Sequence, residues 1–143
     1  MRTPMLVGGV LVAALVLPTA HSVAHAATVR APDRAGTVEP RSDAWEAKVL
    51  RLTNARRKAH DVRPLKAGKC PDHFAESWTR HMARTHDFEH QSLAPFFDRC
   101  EGITTAGENI AYGYETPRAL VSAWMHSQGH RENILHPSFR RIG

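Results

Sequence analysis

The chain has 143 residues, 42% of them hydrophobic, and 19 lysines and arginines against 14 acids give it a formal net charge of +5. That length suits one compact domain with a single core and leaves no room within it for a second. The bases are scattered and not interleaved with aromatic residues, which excludes a nucleic-acid stacking platform. Their one local cluster, Arg56-Arg57-Lys58, reads as a solvated helix face.

In chain order, Arg2 and the apolar run from Met5 to Leu17, stopped by Pro18, have the form of an export signal. The run is shorter than the roughly 20 apolar residues that span a bilayer, so no transmembrane segment is expected. Ala24-His25-Ala26 places small residues where a signal peptidase reads, which predicts removal of residues 1–26 and a secreted, extracellular product; Ser22-Val23-Ala24 is the second choice. Residues 27–42 carry Pro32, Gly36 and Pro40 and almost nothing large and apolar, so they read as a flexible linker. The folded domain is expected over 43–143.

Asp43 with Glu46 marks a helix start, and Trp45, Val49, Leu52, Ala55 and Ala59 recur at helical spacing until Pro64. A second helix begins at Pro71 and buries Phe74, Ala75, Trp78 and Met82 before fraying near Thr85. Residues 86–107 read as loop with one short helix around Leu93 to Phe97, and Ile110 to Tyr114 as the one clear strand. A third helix takes Thr116 as cap and Pro117 as first residue, turns Leu120, Val121 and Trp124 inward, and ends near Gly129. Ile134 and Leu135 add a helical turn that Pro137 stops. Helices dominate, and a lone strand cannot stand, so its partners lie in segments the pattern does not show.

Cys70 and Cys100 are the only cysteines. In an exported protein an even count makes a disulfide the default, and closing a loop of about 30 residues stabilises by roughly 3.5 kcal/mol on the chain-entropy model. Three histidine settings invite chemistry. His86-Asp87-Phe88-Glu89-His90 has the H-x-x-E-H spacing of a zinc peptidase, but it lies where a helix frays and Pro95 follows, so chance explains it better. His126 and His130 are four apart, yet Gly129 intervenes. Finally, Gly107-Glu108-Asn109-Ile110 and Gly129-His130-Arg131-Glu132-Asn133-Ile134-Leu135 set polar groups beside glycines and apolar anchors, as at the mouth of a cavity.

These last segments, with Trp124 to Gln128 before the second and Phe139 to Gly143 after it, resemble the CAP superfamily of cysteine-rich secretory proteins, antigen 5 and pathogenesis-related proteins, whose domain is also called SCP. The likeness is closest to its bacterial branch and extends to Asn54 with Arg57, to Trp78 with Met82, and to His90 just after Phe88. It implies an α+β fold: an α-β-α sandwich with a small antiparallel sheet and a cleft carrying two histidines and two acids. By position His90 and His130 match the histidines and Glu108 one acid, while Ser127 stands where the second acid is found in eukaryotic members.

Two imidazoles and a carboxylate can hold a divalent metal such as zinc with water completing the shell, so His90, Glu108 and His130 are the candidate ligands and cleft residues. Alternatively, Glu108 only ties loops together by hydrogen bonds. Members of the family continue past the Ile-Gly pair into further strands, so the C-terminal strands of this domain are expected to be missing. The implied function is a secreted, monomeric binding module for a small lipid-like or cell-envelope ligand or a partner protein. No nucleophile with an adjacent base is visible, which makes an enzyme the second reading, as a metal-assisted hydrolase using the same cleft. A structural surface protein with a vestigial cleft is the third.

Overall fold

A computed structural model describes the backbone of residues 7–14 and the whole of residues 43–143. The cleavage site around Ala27 and the linker over 27–42 lie outside the described residues. Five helices and four strands follow in the order β1 (Val7–Ala14), α1 (Asp43–Ala59), β2 (Lys66–Ala67), α2 (Lys69–Thr85), α3 (Ala94–Arg99), β3 (Ile103–Ala111), α4 (Pro117–His126), α5 (Gln128–Leu135) and β4 (Phe139–Ile142). The fold is α+β. The apolar stretch that reads as an export signal supplies β1.

The strands form one sheet in the order β2-β4-β1-β3, and every neighbouring pair is parallel. This corrects the antiparallel sheet expected from the family resemblance. Every pair of neighbouring strands is joined through at least one helix, the long connection that parallel strands need.

Helices cover both faces of β3. On one, Val49 of α1, Leu120, Val121 and Trp124 of α4 and Ile134 of α5 pack with Ala111. On the other, Ala75 of α2, Phe96 and Cys100 pack with Ile103 and Ala106, while Met82 packs with Ile110. Toward its C-terminal end β3 follows the two-residue alternation of a strand, with Ala106 and Ile110 facing α2 and Ala111 facing α4. Cys70, at the start of α2, is bonded to Cys100 at the end of α3, with Cα atoms 5.9 Å apart. The disulfide therefore ties the two helices of one layer together.

α1 carries Asp43 and Glu46 in its first turn and Arg56, Arg57 and Lys58 in its last, each sign complementing the helix dipole. Its buried stripe is Val49, Thr53 and Arg57, spaced by four. Arg57 is thus no part of a solvated face; it is fully buried. Its guanidinium donates from Nε to the Arg63 carbonyl at 2.7 Å, from Nη1 to Ile134 at 2.7 Å and His136 at 3.1 Å, and from Nη2 to Phe139 at 3.2 Å. Burial, and then the charge of Arg140, lower Arg57 to about 10, so it stays cationic at neutral pH. Asn54, one turn earlier, exchanges hydrogen bonds with the Leu65 backbone, donating at 2.9 Å and accepting at 2.7 Å.

At the opposite end of α1, partial burial and the carboxylates of Asp72, Glu76 and Asp43 push Glu46 up to about 7. The folded state then holds a proton that an unfolded chain releases nearer pH 4.5, so this group's contribution to stability falls as pH rises through that window.

Replacing Arg57 removes the donors for four carbonyls in a dry site. Arg57→Ala is expected to destabilise the domain by about 3 kcal/mol or more, and Arg57→Lys to recover only part, because an ammonium cannot reproduce the planar fork. Urea unfolding of the three proteins checks this; equal midpoints for wild type and Arg57→Ala would show that the network carries no stability.

Candidate functional site

The two polar segments singled out in the sequence meet across β3. Glu108 and Asn109 are consecutive on the strand, so their side chains leave on opposite faces. Asn109 is fully buried and donates to the His130 carbonyl at 3.0 Å. Asn133 of α5 donates to the Asn109 side-chain oxygen at 2.9 Å and to the Glu108 carbonyl at 3.0 Å. This contact explains Gly107: a Cβ there would lie 2.5 Å from Asn133 Oδ1 and 3.1 Å from the Phe139 ring. The pair of asparagines holds α5 against β3, and with it His130.

On the other face, Glu108 meets the loop that follows α2. The helix ends where His86 adopts a left-handed conformation, φ 62°, its amide donating to the Met82 carbonyl. His86 and His90 therefore do not share a helix, and the H-x-x-E-H spacing is accidental. Trp78 of α2 donates from its indole nitrogen to the Glu89 carbonyl at 2.8 Å and anchors the loop. His90 and Gln91 then close on Glu108. His90 Nδ1 lies 2.6 Å from Oε2, the Gln91 amide donates to Oε2 at 3.2 Å, and the Gln91 side chain donates to Oε1 at 2.7 Å.

The exposures are unequal: the Glu108 side chain is 3% exposed and the His90 ring 60%. A buried carboxylate can only accept, so the hydrogen of a neutral His90 sits on Nδ1 and Nε2 presents a lone pair outward. This is how a second group fixes the tautomer and direction of a histidine.

His130 approaches from α5. Its Nδ1 is 2.8 Å from the Ser127 hydroxyl, and its ring lies 6.4 Å from that of Trp124, centre to centre. Burial, and then the nearby His90, hold it below the ordinary histidine value, so it is neutral at neutral pH. His126 is outside this group: it ends α4, and its Nδ1 binds the Ser122 carbonyl at 2.7 Å. The helix expected to end near Gly129 stops at His126; Ser127 is extended, and α5 starts immediately after it.

His90 and Glu108 are thus in direct contact, and His130 lies close enough for its protonation to sense His90. The Glu108 oxygens are engaged by His90 and Gln91, and among the described residues no three His, Cys, Asp or Glu side chains are grouped to hold a metal ion. Two contributors escaped the sequence reading. Gln91 carried no signal beyond following His90, whereas Ser127 was recognisable as the residue at the acid position and becomes a hydroxyl partner for His130.

The model of the CAP, cysteine-rich secretory protein family matches residues 50–143, and the chain belongs to that family. It is 43% identical over 106 residues to YkwD, an uncharacterized protein of Bacillus subtilis (strain 168), covering 70% of this chain and 41% of that protein. It is 32% identical over 104 residues to the uncharacterized membrane protein YlbC of the same organism, covering 68% of this chain and 30% of that one. The chain thus spans less than half the length of these curated relatives. No solved structure matches it.

Removing the Glu108 carboxylate strands the His90 ring hydrogen and two Gln91 donors. Glu108→Ala is expected to cost on the order of 1 to 3 kcal/mol, and Glu108→Gln to retain part of it. Chemical denaturation decides; an unchanged midpoint in Glu108→Ala would mean that the carboxylate does not hold the loop.

Proposed function

We propose that the chain is an exported binding module whose cleft, built from His90, Glu108 and His130, takes a small cell-envelope ligand, with His90 and His130 meeting the ligand and Glu108 orienting His90. One observation carries the reading: a mostly exposed imidazole is held in one tautomer by a carboxylate that is itself buried. Such an arrangement presents a directed acceptor, and the neighbouring neutral His130 supplies a second ring beside it. Binding is favoured over hydrolysis because the carboxylate orients His90, whereas the hydroxyl in contact with an imidazole, Ser127, sits against the other histidine, His130, at 2.8 Å.

Export rests on the Arg2 to Pro18 pattern and on Ala24-His25-Ala26, and it agrees with the disulfide, which forms and persists in oxidising compartments. No helix among the described residues is long and apolar enough to cross a membrane. Cleavage before Ala27 removes β1 and opens the facing edges of β3 and β4, so the exported form differs from the full chain in the middle of its sheet.

Native mass spectrometry of protein recovered from the culture medium tests both parts. The expected result is a chain beginning near Ala27 that carries a small bound molecule, which His90→Ala loses. Exported material that keeps Met1 would overturn the cleavage, and a wild type carrying the same mass as His90→Ala would overturn the cleft.

A further inference from the structure

β3 continues beyond Glu108 to Ala111. Ile110 and Tyr112 follow at two-residue steps on the same side of the chain, and the loop after α2 tracks them in reverse, Phe88 meeting Tyr112 as His90 meets Glu108. Phe88 and Tyr112 stand edge to face, centroids 5.0 Å apart and planes at 72°. They are two of the three large hydrophobic side chains exposed among the described residues, at 42% and 51%. Scattered apolar residues on a surface need no explanation, but two touching rings at one end of a polar cleft form a patch. Four residues of extended chain place that patch about 13 Å from the carboxylate.

Resting on the binding-module reading, we propose that the ligand is a glycan of pyranose units, with one ring laid on the Phe88–Tyr112 pair and a hydroxyl further along the chain of sugars donated to His90 Nε2. A pyranose has one face of C–H groups and a rim of hydroxyls. The open face of an aromatic ring takes the first, and an outward lone pair on an oriented imidazole takes the second. Both lie along the line of β3, Tyr112 one residue past its end, at a spacing that a short run of sugar units covers. An acyl chain needs an enclosed apolar channel, whereas this pair is half open to water and is followed by imidazole and amide groups. The Tyr112 ring adds a hydroxyl that keeps the platform wettable, which suits a polar ligand better than insertion into a bilayer.

The test is calorimetric titration of the exported protein with the N-acetylglucosamine tetramer, with saturation-transfer NMR to locate the contact. Tyr112→Ala and His90→Ala should each weaken binding about tenfold or more, Tyr112→Phe should retain it, and Phe97→Ala, an exposed ring on α3, should leave it unchanged. Far-ultraviolet spectra and melting curves matching the wild type establish that the variants fold. Failure of the wild type to bind the tetramer, or equal affinity in Tyr112→Ala, overturns the proposal. Sedimentation with phosphatidylglycerol vesicles that depends on Tyr112 would assign the platform to lipid and overturn it equally. If the tetramer fails while recovered protein still carries a His90-dependent mass, the glycan is wrong and the binding module stands; if that mass is absent too, both fall.

Discussion

A single buried cation sets the position of everything that matters in the cleft. Arg57 reaches from the last turn of α1 to carbonyls at the end of α5, just beyond it, and in β4, and also to the loop that follows its own helix. The carbonyls at a helix C-terminus lack intrahelical donors, and they form the negative end of its dipole. A guanidinium answers both needs at once, with five hydrogens in a rigid plane and a charge that burial does not remove. No carboxylate takes part in these bonds, so the charge is compensated by backbone dipoles. The ends of α5 and β4 can therefore be packed in a dry core, and α5 is clamped at its C-terminal end while Asn133 and Asn109 clamp its middle to β3.

The cleft follows from that clamping. β3 serves as a partition, sending Asn109 toward α5 and Glu108 toward the loop after α2. Each side of the strand therefore fixes one histidine, His130 through α5 and His90 through the carboxylate. Neither imidazole is placed by its own element alone. His90 lies in a loop whose course depends on Trp78 and Glu108, and His130 lies in a short helix whose course depends on Arg57 and the two asparagines. This division of labour explains why residues far apart in the chain converge. Gly107 is needed for the close approach of Asn133, while a Cβ at Gly129 would meet nothing within 4 Å.

Much of the helical layer was legible because its apolar spacing is regular. α1 begins at Asp43, α2 frays after Thr85, and the Thr116 hydroxyl accepts from the Ala119 amide at 3.2 Å as the cap of α4. β3 was legible only at its end. Ile110 and Ala111 belong to it, but Thr104 to Asn109 are polar or small: Thr104 is exposed, Gly107 makes room for Asn133, and Glu108 and Asn109 are buried for their hydrogen bonds. A strand buried for its hydrogen bonds does not look buried in a hydropathy pattern. Arg57 was misplaced for a related reason: read within a basic triplet it looks solvated, whereas read at four-residue steps with Val49 and Thr53 it continues the buried stripe. The direction of the sheet could not be taken from the family resemblance, since it depends on which segments pair. Of the site, His90, Glu108 and His130 were identifiable by position, while the division of roles between an orienting carboxylate and two presented imidazoles required the contacts of Gln91 and Ser127.

The claim at the centre of this account is that Glu108 holds His90 with its hydrogen on Nδ1 and its lone pair on Nε2 facing out. Long-range proton–nitrogen NMR correlation of the imidazole rings at neutral pH reads the tautomer directly. The account predicts a single Nδ1–H form for His90 in the wild type and a mixture, or a reversal, in Glu108→Ala. A neutral wild-type His90 carrying its hydrogen on Nε2 would contradict it, because that tautomer could neither donate to the buried carboxylate nor present an acceptor to a ligand.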